Sequence, residues 1–132
     1  MGMTSRTKGK RGEIDLMHIL RDVYGYGVRR GYVFQHESDL VGLNGIHVEC
    51  KRNERLNIHD AMEQAKAESL KRKDGIPTVF HRRNRTEWLV TMQLETWIDL
   101  YGAWNDGELQ DTEGDGAGLH EAPRGDNNEG ML

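Results

Sequence analysis

Apolar residues recur along the chain in two distinct rhythms. Ile14, Met17, Leu20 (with Ile19) and Val23 return at helical spacing, which predicts a helix over about Arg11–Val23. Tyr24-Gly25-Tyr26-Gly27 ends it. Val28–Phe34 then reads as a strand near a sheet edge, given its arginines and glycine. Residues 37–51 read as two short strands joined at Asn44-Gly45, a dipeptide suited to a type I′ hairpin turn, whose two central positions need positive φ. On the second strand Ile46, Val48 and Cys50 alternate with His47, Glu49 and Lys51. One face is therefore apolar and the other presents Glu49 and Lys51 together.

Asn57 is a suitable N-cap for a second helix, with Asp60 in its first turn and Lys71-Arg72-Lys73 at its end. Gly75 is expected as its C′ residue. Ile58, Ala61, Met62, Ala65 and Ser69 give this helix a narrow face suited to close packing on a sheet. Ile76–His81 and Trp88–Met92 read as strands around an Asn84-Arg85-Thr86 turn. Leu94, Trp97, Ile98 and Tyr101 mark a last short helix. The order αβββαββα predicts an α/β fold, a central mixed β-sheet flanked by helices.

Charge divides the chain. Residues 105–132 hold eight acidic residues and one basic, a net −7, with few large apolar side chains. They are expected to form a disordered acidic C-terminal tail. The other 104 residues carry 17 Lys and Arg against 14 Asp and Glu, a net +3. The overall charge of −4 thus hides a mildly basic body. Residues 1–9 read as a basic arm, and 1–104 as one domain. No apolar run approaches the ~20 residues of a membrane span. The basic N-terminus lacks the apolar segment of a signal peptide, and a single cysteine excludes an intrachain disulfide. A cytoplasmic protein without membrane contact is expected. The six histidines lack zinc-ligand spacing.

Asp39 on one strand and Glu49 on its neighbour form an oxygen donor set for a hard cation such as Mg²⁺, and the Cys50 carbonyl between Glu49 and Lys51 could add a third donor. A cation there can activate water and neutralise charge on a phosphate, and Lys51 can orient that water. Cys50 alternates away from Glu49 and Lys51, so it reads as a core residue rather than a nucleophile.

Asp39, nine residues, then Glu49-Cys50-Lys51 resembles the core motif of the PD-(D/E)xK nuclease superfamily, with Ser38 in the place of the motif's proline. Lys8-Gly9-Lys10-Arg11-Gly12-Glu13 resembles the entry to the first helix of archaeal-type and phage Holliday-junction resolvases, whose helix carries a metal-associated glutamate. Asp74-Gly75-Ile76-Pro77 and Trp88-Leu89-Val90 are similar to the same family's second half, so the likeness spans roughly residues 8–95. It implies a restriction-endonuclease-like fold and a metal-dependent, structure-selective endonuclease with Mg²⁺ or Mn²⁺. It further implies a homodimer acting on branched double-stranded DNA, most often a four-way junction, in a prokaryotic or phage-infected cell.

Under this resemblance Glu13, Asp39, Glu49 and Lys51 are the catalytic set, with Glu13, Asp39, Glu49 and the Cys50 carbonyl at the metal. Lys8, Lys10, Arg11, Arg29, Arg30, Arg52 and Arg55 are expected on a DNA-binding rim, and Gln64 and His36 as auxiliary residues. Each has a plainer reading. Glu49 and Lys51 could be a solvated pair. Glu13 could serve only the helix dipole of a first turn. Gln64, His36 and any single arginine could be surface residues. Nucleases for flaps, nicks or forks, and a non-catalytic DNA-binding module, are the alternatives.

Overall fold

The computed structural model describes residues 5–114, with side chains described for 9–107. The elements are α1 (Ser5–Tyr24), β1 (Arg29–Arg30), a 3₁₀ turn (Val33–Gln35), β2 (Leu40–Val41), β3 (Ile46–Lys51), α2 (Ile58–Arg72), β4 (Ile76–His81), β5 (Leu89–Thr91) and α3 (Leu94–Gly114). The strands form one sheet in the order β1-β2-β3-β4-β5. Only β3 and β4 run parallel; every other pair is antiparallel. The expected α/β class and mixed sheet are thus present. The sheet, α1 and α2 make one unit ending at Gln93, and α3 belongs to a second.

Each face of the sheet carries a small core. On one, Leu16 of α1 packs with Leu40 and Val48, joined by Met17, Leu20, Cys50, Phe80 and Trp88. On the other, Ala61 and Ala65 of α2 lie against Val79. Small residues let that helix come close to the strands, as its narrow face predicted. Asn57 caps α2 by accepting the Asp60 amide at 3.1 Å.

Several boundaries differ from the expectation. The α1 helix starts at Ser5 rather than near Arg11, so residues 5–9 are helical and 1–4 lie outside the described residues. Glu13 is therefore mid-helix, where the first-turn dipole argument does not apply. The buried positions of α1 are Gly12 and Leu16, the latter at 2% exposure, with Leu20 half-buried a turn further on, while Ile19 and Val23 face out. The strand expected over Val28–Phe34 shrinks to Arg29–Arg30. Past it, Gly31 crosses so close to the Ser38 carbonyl that a Cβ would sit 1.9 Å away, and the chain coils into the 3₁₀ turn.

The left-handed cap of α2 is Lys73, whose amide donates to the Ser69 carbonyl, not Gly75. Gly75 still has positive φ, and a Cβ there would stand 2.7 Å from the Gly45 carbonyl. The Asn44-Gly45 turn is not type I′. The positive φ values fall at Gly42 and Gly45, and the connection is longer than two residues. Finally, α3 continues to Gly114 with no proline to stop it. Residues 105–114 of the expected disordered tail are thus helical, and 115–132 lie outside the described residues. Within α3, Tyr101 stacks with Trp97 and tilts against Trp104. Among the described residues no helix is long and apolar enough to cross a membrane.

Candidate active site

The β2–β3 register decides what meets what. Leu40 pairs with Val48, so Asp39, one residue before, stands opposite Glu49, one residue after. Directly opposed residues of an antiparallel pair project to the same face, with Cβ atoms about 4.5–5.5 Å apart. Lys51, two residues beyond Glu49, shares that face. It is the α2 face of the sheet, so this polar edge is covered rather than solvated. Glu49 is only 6% exposed.

Glu49 is held from two sides. His47 Nε2 lies 3.4 Å from its Oε1 and Lys51 Nζ 3.8 Å from its Oε2. Lys51 also donates to Gln64 Oε1 at 2.8 Å, so Gln64 reaches the site rather than solvent. His47 is fully buried, and its Nδ1 lies 2.7 Å from Asp74 Oδ1. Burial alone would favour the neutral ring, but the carboxylates of Glu49 and Asp74 outweigh it and hold its pKa above the ordinary value. Both nitrogens face carboxylates, and only the doubly protonated ring donates to both.

Asp39 Oδ2 accepts the Cys50 amide at 2.7 Å. Its pKa is nevertheless raised to about 6. Burial is the first cause and is only partly offset by that hydrogen bond; the nearby Glu49 and Glu13 add to the rise. The Cys50 thiol is pushed up by burial and by the same carboxylates, which suits an inert core sulfur. Asp39 and Glu49 open into a hollow of about 250 Å³, walled by Gln64, Glu68 and Arg72 of α2 and by His36 and Glu37.

The basic residues expected on the rim separate into groups. Arg30, opposite Leu40, points to the α1 face and grips Glu13 Oε1 through Nη2 at 2.9 Å and Nε at 3.2 Å. Arg29 forms a bidentate pair with Glu37 at 2.9 and 3.1 Å and lies 4.2 Å over the Tyr32 ring. Arg72 donates to the Glu37 carbonyl and pairs with Glu68 at 3.0 Å. Lys10 and Arg11 are exposed on α1. Lys8 lies outside the residues whose side chains are described. Arg52 and Arg55 line different hollows from the one that holds Asp39 and Glu49.

His47 and Asp74 were missed as site residues. The position of His47 two before Glu49 was a readable signal, because strand residues two apart share a face. Asp74 gave none, since a loop after a helix meets β3 only through tertiary structure. The same holds for Glu68 and Arg72.

The donor chemistry suits a hard divalent cation. Two carboxylates crowd one another on adjacent strands, a repulsion a cation would relieve. The Lys51 carbonyl accepts the Arg82 amide on the β4 side. Backbone groups alternate edges along a strand, so the Cys50 carbonyl turns to the opposite side, where Asp39 lies. As the side chains stand, no three His, Cys, Asp or Glu among the described residues converge as a metal group. One or two carboxylates with several waters is nonetheless how Mg²⁺ is usually held. Glu13 is engaged by Arg30 and would have to leave it to join such a set.

No protein-family model matches the chain, and no curated protein does. Among solved structures it is similar to Hjc, a Holliday junction resolvase from the archaeal hyperthermophile Archaeoglobus fulgidus. The two are 25% identical with a TM-score of 0.47, over 64% of this chain and 72% of that one.

Proposed function

We propose that this chain is a metal-dependent DNA endonuclease selective for branched structure, hydrolysing phosphodiester bonds at four-way junctions in the cytoplasm of a prokaryotic or phage-infected cell. One observation carries the reading. Asp39 and Glu49 oppose one another across β2–β3, and Lys51 follows on the same covered face. A binding module gains nothing by burying two carboxylates where phosphates would approach.

In this reading Asp39, Glu49 and the Cys50 carbonyl hold Mg²⁺ or Mn²⁺, with Glu13 as an outer partner. The bound cation would supply charge neutralisation at the scissile phosphate and a more acidic water. Lys51 sets a positive charge beside the reacting phosphate, and Gln64 fixes its direction. His47, anchored by Asp74, holds Glu49 so that its carboxylate cannot swing away. Lys8, Lys10 and Arg11 at the start of α1 contact phosphates without reading sequence, which agrees with selection of shape. Paired cuts across a junction require two sites, which a homodimer supplies.

The test compares a synthetic four-way junction with a matched linear duplex, in Mg²⁺ and in EDTA. Symmetric nicks near the branch, absent in EDTA and in Asp39→Asn, are expected. Junction binding without metal-dependent cutting overturns the proposal, and equal cutting of both substrates overturns its structural selectivity.

A further inference from the structure

At the C-terminal ends of β3 and β4 two loops meet, 52–57 after β3 and 82–88 after β4. Their shape is set by hydrogen bonds. The Arg82 amide extends the β3–β4 pairing by donating to the Lys51 carbonyl at 3.1 Å. The Asn84 amide donates to Glu54 Oε2 at 2.8 Å and ties the loops together. Thr86 Oγ1 accepts the Arg83 amide and donates to the Arg83 carbonyl, which closes the turn.

Two adjoining hollows lie between these loops. One, of about 590 Å³, is lined by Arg55, Arg82 and Arg83 over an apolar floor of Leu56, Ile58 and Leu89. The other, of about 640 Å³, is lined by Arg52, Arg82 and Arg85. Arg82 and Glu54 line both, so the two hollows adjoin and together carry five arginines. The only acids on its walls are Glu54, which is occupied by the Asn84 amide, and Glu87.

These arginines differ from those around the candidate active site. Arg29, Arg30 and Arg72 are each paired with a carboxylate. Among the described residues Arg52, Arg55, Arg82, Arg83 and Arg85 form no ion pair. Arg82 lies 5.9 Å over the Trp88 ring. Arg52 packs its stem so tightly on Gly12 of α1 that a Cβ there would stand 2.8 Å from its own. Its Nη1 is buried without an acceptor. An unsatisfied buried donor on a charged group is costly, and the planar guanidinium fork matches phosphate oxygens. Five such groups along a cleft suit a chain of phosphates better than a single anion. Arg52 also follows Lys51 directly, so the cleft starts one residue from the proposed catalytic lysine.

We infer that the cleft between the 52–57 loop and the β4–β5 turn is a second binding site that seats the phosphate backbone of a DNA arm leading away from the scissile bond. This rests on the nuclease reading for the identity of the polymer, while the cleft's own geometry makes it a polyanion site. It adds Arg82, Arg83 and Arg85, which lie far from the motif residues in sequence, to the DNA-contacting surface.

The test uses full-length Arg83→Gln/Arg85→Gln. Both side chains are exposed, so the melting temperature should stay at the wild-type value. Binding of a fluorescent four-way junction is measured by anisotropy in EDTA from 50 to 300 mM KCl. Losing two phosphate contacts should make the slope of log K against log [salt] shallower by about 1.8 and weaken binding roughly tenfold at 100 mM. At junction concentrations below saturation in Mg²⁺ the cleavage rate should fall in step with the affinity. Wild-type affinity and slope in the variant overturn the inference, even if wild-type protein cuts junctions normally. If wild-type protein cuts nothing but the slope still falls in the variant, the nuclease reading fails and the cleft stands. An affinity loss seen only with duplex RNA overturns the assignment to DNA.

Discussion

Replacing Asp39 by asparagine should abolish activity and yet stabilise the metal-free protein. In the folded state the Asp39 carboxyl titrates at about 6 rather than 3.8. That difference corresponds to about 3 kcal/mol against the ionised form, since each pKa unit is worth about 1.4 kcal/mol. Between pH 3.8 and 6 the folded protein holds a proton that the unfolded chain has released. Stability from this group is therefore complete below pH 3.8, is lost as pH rises through 6, and does not recover above it. Asparagine carries no charge to lose, and its carbonyl can still accept the Cys50 amide, as the protonated carboxyl does; the stronger bond made by the ionised carboxylate is already contained in the shift to about 6. The expected net gain at pH 7.5 in EDTA is about 3 kcal/mol, or roughly 12–24 °C in melting temperature for a unit of this size. Thermal melts of both proteins from pH 4 to 8 read it directly, because the difference between them cancels every other titrating group. The curves should coincide near pH 4 and diverge by pH 6.5. Adding Mg²⁺ should raise the wild-type melt at pH 7.5 and leave the variant unmoved. A variant that is no more stable than wild type at pH 7.5, or a difference independent of pH, refutes the account.

Three further outcomes follow from the same geometry. Gln64→Ala frees Lys51 and should lower the junction-cleavage kcat by roughly tenfold while KM and the folding midpoint stay put; a change confined to KM contradicts the positioning role. His47→Leu strips the Glu49 and Asp74 carboxylates of a buried partner and should cost about 3 kcal/mol in urea denaturation. Because the His47 pKa is raised, its contribution is complete below pH 6.5 and is lost as pH climbs through the higher folded value, so the deficit should shrink in alkaline buffer. Gly31→Ala sets a methyl group 1.9 Å from the Ser38 carbonyl beside Asp39; a loss of about 2–4 kcal/mol is expected, whereas Gly9→Ala, which meets nothing within 4 Å, should be neutral or slightly stabilising.

Local pattern and capping were legible where a residue's neighbours in sequence are also its neighbours in space. The 3.6 rhythm located α1 and α2, and the Asn57 cap located the start of α2. The period-2 rhythm located β3, and the pairing of carboxylates with Lys51 was visible as a motif. Reading failed where a distant segment intervened. Glu49 and Lys51 could have been a solvated pair until α2 covered their face, and the contact of His47 with Glu49 and Asp74 was not anticipated. Arg29 and Arg30 looked free for DNA until Glu37 and Glu13 met them. Arg83 and Arg85 looked like an ordinary polar turn until the 52–57 loop came to lie beside them.

What the sequence by itself determined is the inventory of the site: Asp39, Glu49 and Lys51 on two strands joined by a glycine-bearing turn. Whether they form a site was left to tertiary structure. A two-residue Asn44-Gly45 turn would pair Asp39 with Cys50 and send it to the core face, away from Glu49. The observed register, Leu40 against Val48, is shifted by one residue and turns Asp39 to face Glu49. The longer connection that permits it holds Gly42 at φ 111°, where a Cβ would stand 2.3 Å from the Gly27 carbonyl. A backbone contact between segments fifteen residues apart, which no local rule contains, thus selects the face on which the carboxylates meet.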